Sequence, residues 1–93
     1  MSGNLEEGVR HDVVRHRYEL DVDGGLAVAE YYESDGARVF THTEVPGQSE
    51  GRGVAAKLVR AALDDTRRAG FKIVPACSYV VAFLARHPEY RTP

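Results

Sequence analysis

The sequence has few of the residues that would place it in several common classes of protein. It contains one cysteine in 93 residues, so an internal disulfide is impossible and a secreted, disulfide-stabilised domain is not indicated. Its longest apolar run, residues 79–85, is too short to cross a bilayer. Residues 1–7 have neither the basic start nor the apolar core of a signal peptide. We therefore expect a cytoplasmic protein without a membrane partner.

Charge of one sign is also lacking. The chain has 12 Lys and Arg against 14 Asp and Glu, for a net charge of −2, so no broad positive field would attract nucleic acid. Any phosphate group would have to be bound locally. His11, His16 and His87 have no metal-ligand spacing with a second soft ligand, so no metal site is predicted. The length and apolar content predict a disordered tail at residues 1–8 and a single domain over residues 9–93.

The first half of the chain alternates between apolar and polar residues, as strands do. Residues 15–22, 26–33 and 38–45 predict three strands, and glycine-containing turns at residues 23–25 and 35–36 separate them. Tight turns between consecutive strands predict an antiparallel meander.

The period changes to that of a helix in the second half. Apolar residues recur on one face from Gly53 until Gly70, which is predicted to end the helix. Residues 72–75 predict a fourth strand, and residues 79–86 a second helix that Pro88 stops. A helix joining the third and fourth strands as a crossover would make those two strands parallel. We therefore predict an α+β fold whose third and fourth strands are parallel and splay apart, leaving a wedge at the helix start.

Two glycines, Gly51 and Gly53, precede the first predicted helix. The first N–H groups of a helix have no internal partner and lie at the positive end of its dipole, so they can bind a phosphate where glycines allow close approach. Ordinary loop and cap chemistry is the structural alternative. A P-loop is excluded because no Gly-Lys-Ser/Thr follows, and the antiparallel strands upstream disfavour a dinucleotide fingerprint.

Taken in order, residues 42–46 (His-Thr-Glu-Val-Pro), 50–55 (Glu-Gly-Arg-Gly-Val-Ala), 74–79 (Val-Pro-Ala-Cys-Ser-Tyr) and 87–90 (His-Pro-Glu-Tyr) resemble the minimal single-domain branch of the GNAT superfamily of N-acetyltransferases. The resemblance implies acetyl-coenzyme A as co-substrate and an amine, on a small molecule or a protein, as acceptor. No feature of the sequence indicates an oligomeric state or identifies the amine.

The family's phosphate motif is Gln or Arg, two residues, Gly, one residue, then Gly or Ala; this chain has Glu50 at the first position, and Gly53 and Ala55 match the second half. A second register, with Gln48, Gly51 and Gly53, fits the letters but lies further from the helix start. In such proteins the pantetheine arm pairs with the end of the preceding strand. The resemblance therefore implies these coenzyme A-binding residues: Thr43, Val45, Glu50, Gly51, Arg52, Gly53, Val54 and Ala55.

The resemblance implies Cys77 as a nucleophile, because it matches the cysteine of the minimal branch. Its position before a helix favours a lowered thiol pKa, although lone cysteines are often small buried apolar groups. Glu44, or His42 on the same strand face, is a candidate general base, and a solvated strand-end charge is the alternative. Larger relatives carry a tyrosine acid on the last helix, where this chain has Leu84.

Three functions remain open at the level of sequence. The first is acetyl transfer from acetyl-coenzyme A to an amine, by direct attack or through an acetyl-Cys77 intermediate. The second is a module that binds coenzyme A without turnover, which the missing tyrosine favours. The third is an interaction domain in which the glycine turn is purely structural.

Overall fold

The computed structural model describes residues 8–91, which form one five-stranded sheet and two α-helices. The strands are β1 (Val9–Asp12), β2 (Arg17–Val22), β3 (Gly25–Ser34), β4 (Ala37–Glu44) and β5 (Lys72–Pro75). The helices are α1 (Val54–Arg68) and α2 (Ser78–Arg86), and short 3₁₀ turns occupy Gly47–Ser49 and Pro88–Arg91. Except for Gly8, the predicted disordered tail lies outside the described residues.

The sheet is mixed, which confirms the predicted α+β class. The strand order is β1-β2-β3-β4-β5, and every neighbouring pair is antiparallel except β4 and β5. The prediction that the third and fourth strands are parallel is therefore wrong as numbered, because β3 and β4 are antiparallel. The sequence pattern predicts four strands and does not include β1, so the predicted third and fourth strands are β4 and β5 of the structure.

Strand β1 escaped the sequence pattern because it carries a single aliphatic residue, Val9. Its second inward position is His11, whose ring stacks on Tyr18 with the centroids 4.1 Å apart. A histidine therefore fills a place in the core where periodicity alone looks for an apolar side chain.

Both helices pack on one face of the sheet. The core joins alternating strand residues such as Tyr18, Ala29 and Phe40 to Leu58 of α1 and Phe83 of α2. On the opposite face the described residues include exposed side chains, among them Tyr32 and Val74. Neither α1 nor α2 combines the length and apolar character that a membrane-spanning helix needs.

A polar cluster lies inside this core. The hydroxyl of Tyr18 donates to Oδ2 of Asp65 at 2.6 Å and accepts from Nη1 of Arg38 at 2.7 Å. Arg38 is 6% exposed and also pairs with Glu33 at the strand end. The cluster ties α1 to β2 and β4 by side chains far apart in sequence, which fixes the direction of the helix that leads from the glycine turn.

The ends of both helices follow from their flanking residues. Gly53, with φ of 75°, is the N-cap of α1, and Gly70, with φ of 87°, lies just beyond the helix, as predicted. Helix α2 begins one residue earlier than predicted: Ser78 is its first residue, and Cys77 is the N-cap. Cys77 is therefore closer to the first-turn N–H groups than the sequence indicated.

Candidate active site

A β-bulge in β4 determines which of its residues face the helices. Glu30 pairs with His42 and Tyr31 with Phe40, so Thr41 is an extra residue without a partner on β3. One extra residue reverses the alternation of side chains beyond it. Phe40 is buried under the helices, and after the bulge Thr43 rather than His42 faces the same side.

The bulge separates the predicted catalytic residues. Thr43 pairs with the buried Ala29, and its Oγ1 lies 3.5 Å from Sγ of Cys77, so both are on the helix side. His42 and Glu44 lie on the other face, where Nε2 of His42 is 3.2 Å from Oε1 of Glu44. Both side chains are more than half exposed. The structure brings Cys77 to the end of β4 but does not bring it together with the candidate bases on one face.

The pairing of β4 with β5 stops short of the end of β4. The last matched pair is Phe40 and Pro75, and the N–H of Ala76 donates to the carbonyl of Phe40 at 2.9 Å. Strand β4 continues over residues 41–44, and among the described residues no strand pairs with this part of β4 on the β5 side. The N–H of Thr43 points toward the sulfur of Cys77 across this gap.

The glycine turn leaves backbone donors free at the start of α1. Gly51 has φ of 81° and Gly53 of 75°, a left-handed conformation that favours glycine. A Cβ placed on either would meet nothing within 4 Å. The first helical bond runs from the N–H of Lys57 to the carbonyl of Gly53 at 3.1 Å. The N–H groups of residues 54–56 therefore precede the helical ladder and have no acceptor within it.

The β2–β3 hairpin holds the glycine turn in place through contacts that the sequence did not indicate. Ser49 is 2% exposed, and its Oγ donates to the carbonyl of Asp23 at 2.6 Å. Gly24 packs so tightly on Gln48 that an added Cβ would lie 2.7 Å from its Oε1. In sequence Ser49 is an ordinary loop residue, and no local pattern reports this contact between distant turns.

Arg52 points toward the same hairpin. Its Nη1 lies 3.6 Å from Oδ2 of Asp23, and both side chains are mostly exposed, so the pair contributes little to stability. A guanidinium in this position is available to a ligand at the cost of that weak pair.

These elements surround one cavity of about 440 Å³ at the start of α1. It brings together all of the residues predicted to bind coenzyme A except Arg52, and it adds three residues that the sequence did not indicate. The lining residues are Thr43, Val45, Ser49, Glu50, Gly51, Gly53, Val54, Ala55, Ala56 and Tyr79. The cavity thus combines free helix N–H groups with the unpaired end of β4.

The environment of Cys77 favours its thiolate. Burial raises the pKa of the thiol, but the Thr43 hydroxyl and the N–H groups of Val80, Tyr79 and Thr43 together outweigh burial, and the pKa is lowered. None of these helix N–H groups makes a full capping hydrogen bond to the sulfur. The thiol is half-buried and can donate to Thr43, whereas the hydroxyl can turn its hydrogen toward a thiolate.

The position at which larger relatives carry a tyrosine acid is part of the core here. Leu84 is 7% exposed and packs with Phe83 and Val80. Tyr79 is the phenol that lines the cavity instead. Within residues 8–91, no group of three or more His, Cys, Asp or Glu side chains is arranged to hold a metal ion.

Comparison with known proteins agrees with this geometry. A family model described as GCN5-related N-acetyl-transferase matches residues 17–92, which is most of the chain. The protein therefore belongs to the GCN5-related N-acetyltransferase family.

Relatives of similar length occur in vertebrates. Protein NATD1 of Gallus gallus is 35% identical over 94 residues, covering 92% of this chain and 84% of its own. Protein NATD1 of Homo sapiens is also 35% identical, with coverages of 92% and 82%, and that of Danio rerio is 32% identical over 87 residues, with 88% and 79%. The similarity therefore extends over nearly the whole domain.

Proposed function

We propose that this protein is an N-acetyltransferase that moves an acetyl group from acetyl-coenzyme A to an amine. The observation that carries the proposal is the cavity at the start of α1, where free helix N–H groups adjoin the unpaired end of β4 and the thiol of Cys77. Family membership supports the same reaction class. The acceptor is an amine on a small molecule or a protein.

The residues present fit coenzyme A. A pyrophosphate needs several donors and room for its oxygens, and the positive φ of Gly51 and Gly53 leaves open space in front of the N–H groups of residues 54–56. The edge of Thr43 to Val45 offers N–H and carbonyl groups to a pantetheine arm, as a neighbouring strand would. Glu50 contributes no positive charge, so the phosphate site depends on the backbone.

One route proceeds through Cys77. Its thiolate attacks the thioester carbonyl carbon, the C–S bond to coenzyme A breaks, and the coenzyme thiolate leaves and takes a proton from solvent. The amine then attacks acetyl-Cys77, the new C–N bond forms, and the cysteine thiolate is regenerated as a base takes the ammonium proton. The N–H of Thr43, which already points toward the sulfur, is the group that would polarise the carbonyl.

The other route is direct attack by the amine. Glu44 or His42 would take the proton from the attacking nitrogen. Because these two side chains lie on the uncovered face of the sheet, this route has the amine approach from that face while the donor binds on the helix side. The same arrangement serves the second step of the Cys77 route.

A module that binds coenzyme A without turnover is the second candidate. The burial of Leu84 favours it, because the leaving thiolate then has no tyrosine acid at the usual position. Intact-protein mass after incubation with acetyl-coenzyme A alone separates the possibilities: one added acetyl group that Cys77→Ala abolishes supports the covalent route. Transfer to a panel of amines by Cys77→Ala would support the direct route. If neither the parent protein nor Cys77→Ala transfers an acetyl group, the result would support a module that only binds coenzyme A.

A pair of glycine variants tests the phosphate site. Gly53→Ala and Gly36→Ala place the same side chain on similar backbones, with φ of 75° and 78° and open space around each, and each should cost roughly 1–2 kcal/mol. Of these two glycines, only Gly53 lines the cavity. We expect coenzyme A to raise the melting temperature of the parent and of Gly36→Ala but much less that of Gly53→Ala; equal shifts in all three would place the ligand elsewhere.

A further inference from the structure

A second cavity lies away from the candidate active site, at the other end of α1. This groove has a volume of about 1070 Å³ and runs between the end of α1, the edge strand β5 and α2. Much of its wall is apolar, formed by Phe71, Ile73, Pro75, Val81, Leu84 and Tyr90. Val81 is 51% exposed, so an apolar surface is open to solvent here.

The polar part of the groove is mainly cationic. Arg67, Arg68 and Lys72 line it, and Asp64 is the one acidic residue among the lining side chains. Arg68 also pairs with Asp65 of α1, with 3.9 Å between Nη2 and Oδ1. Asp64 accepts a hydrogen bond from the Tyr90 hydroxyl at 2.7 Å, so part of its hydrogen-bonding capacity is used within the groove. In a chain of net charge −2, three neighbouring cations are a local concentration of positive charge.

Two of the side chains that line the groove, Arg67 and Tyr90, are held in place by contacts within the protein. The guanidinium of Arg67 lies over the ring of Tyr90, 5.3 Å from its centroid, and the ring of Tyr90 also contacts Phe83. Burial, followed by the bond to Asp64, raises the pKa of Tyr90 to about 12. Arginine and tyrosine are common anchors of protein interfaces, and side chains that are ordered in advance lose less entropy on binding.

The backbone of β5 limits how a partner can bind. The N–H of Lys72 donates to the carbonyl of Gly36, just before β4, and the N–H of Ala76 donates to the carbonyl of Phe40 in β4. The backbone groups of Ile73 and Pro75 therefore face the open edge of the sheet. Pro75 has no N–H, which leaves Ile73 as the one donor on this edge. A partner strand would therefore gain few backbone hydrogen bonds, and side-chain contacts must dominate.

We propose that the groove docks an acidic segment of a partner protein, with an apolar side chain in the groove and carboxylates facing Arg67, Arg68 and Lys72. Charge complementarity selects this occupant, because guanidinium groups bind carboxylates through paired hydrogen bonds. The inference is independent of the acetyl-transfer chemistry, since the groove shares no residue with the cavity at the start of α1.

The test is an NMR titration of the ¹⁵N-labelled protein with two peptides that share their apolar residues. One is acetyl-Glu-Asp-Leu-Phe-Glu-Asp-amide, and its twin has Lys at every acidic position. We expect the acidic peptide to shift the amides of residues 67–73 and 81–84, and the basic twin to bind at least tenfold more weakly. Added salt should weaken the binding of the acidic peptide, because the contacts are ionic.

Arg67→Gln should lower the affinity for the acidic peptide severalfold. The control is Arg15→Gln, at an exposed arginine on the β1–β2 turn, and it should leave that affinity unchanged. Lys72→Glu provides a second variant, at an exposed strand position, should Arg67→Gln disturb α1. The proposal is overturned by equal affinities for the two peptides, by no binding at about 1 mM peptide, or by shifts outside the groove. Groove shifts that follow protein concentration without peptide would assign the groove to a second copy and also overturn it.

Discussion

Removal of the Tyr18 hydroxyl should destabilise the protein strongly, although no apolar contact is lost. In Tyr18→Phe the ring keeps its place under α1, but Asp65 and Arg38 each lose a hydrogen bond of 2.6–2.7 Å. Hydrogen bonds to charged groups contribute about 1.5–3 kcal/mol each. Asp65 keeps weaker contacts with His11 at 3.4 Å and with Arg38 at 3.8 Å, which recover part of that energy.

We therefore expect the free energy of unfolding to fall by about 2–3 kcal/mol, and the melting temperature by roughly 10–20 °C for a domain of this size. Urea denaturation followed by circular dichroism measures the loss, and an unchanged m-value would show that the folded state stays compact. Tyr32→Phe is the matched control, because that ring is 53% exposed and should lose less than about 0.5 kcal/mol. Equal small losses in both variants would refute a stabilising role for the cluster.

Two further predictions concern parts of the fold that hold the site. Burial, reinforced by Arg38, lowers the pKa of His11 from 6.5. The unfolded chain therefore takes up a proton first as the pH falls through about 6.5, and the free energy of unfolding should decrease there. Urea denaturation at several pH values should show a smaller decrease for His11→Asn and an unchanged one for the exposed control His16→Asn. In Gly24→Ala the added Cβ lies on a backbone with φ of 91° and 2.7 Å from Oε1 of Gln48, so the free energy of unfolding should fall by about 1–3 kcal/mol and coenzyme A should bind more weakly. The control Gly36→Ala should lower stability without changing the affinity for coenzyme A. Unchanged affinity in a folded Gly24→Ala would show that the hairpin does not hold the binding site in place.

The elements that the sequence predicted correctly are those with a strong local period. The apolar stripe of α1, the alternation in β2 and the glycine turns are each determined by residues close together in the chain. The residues around the cavity could be predicted because the motif at residues 50–55 is continuous and adjoins the end of β4.

What the sequence could not predict depends on contacts between distant residues. In β1 the second inward position is filled by His11 stacking on Tyr18, and no pattern within the four residues of β1 indicates that contact. The bulge at Thr41 was invisible for a similar reason, since it is a mismatch between two strands rather than a property of one. Placing His42 and Glu44 relative to Cys77 required that mismatch, so their separation onto two faces could not be foreseen.

The bulge in β4 also determines which changes this chain can accept during evolution. Many residues can stand at position 41, because its side chain is exposed and its backbone lacks a partner on β3. A deletion there should be tolerated as well: Phe40 would still pair with Tyr31 and Thr43 with Ala29, so the residues on both sides of the bulge keep their faces and the strand returns to regular alternation. Position 41 can therefore vary in length as well as in composition during evolution, whereas the regularly paired part of β4 cannot lose a residue without reversing the faces of its side chains.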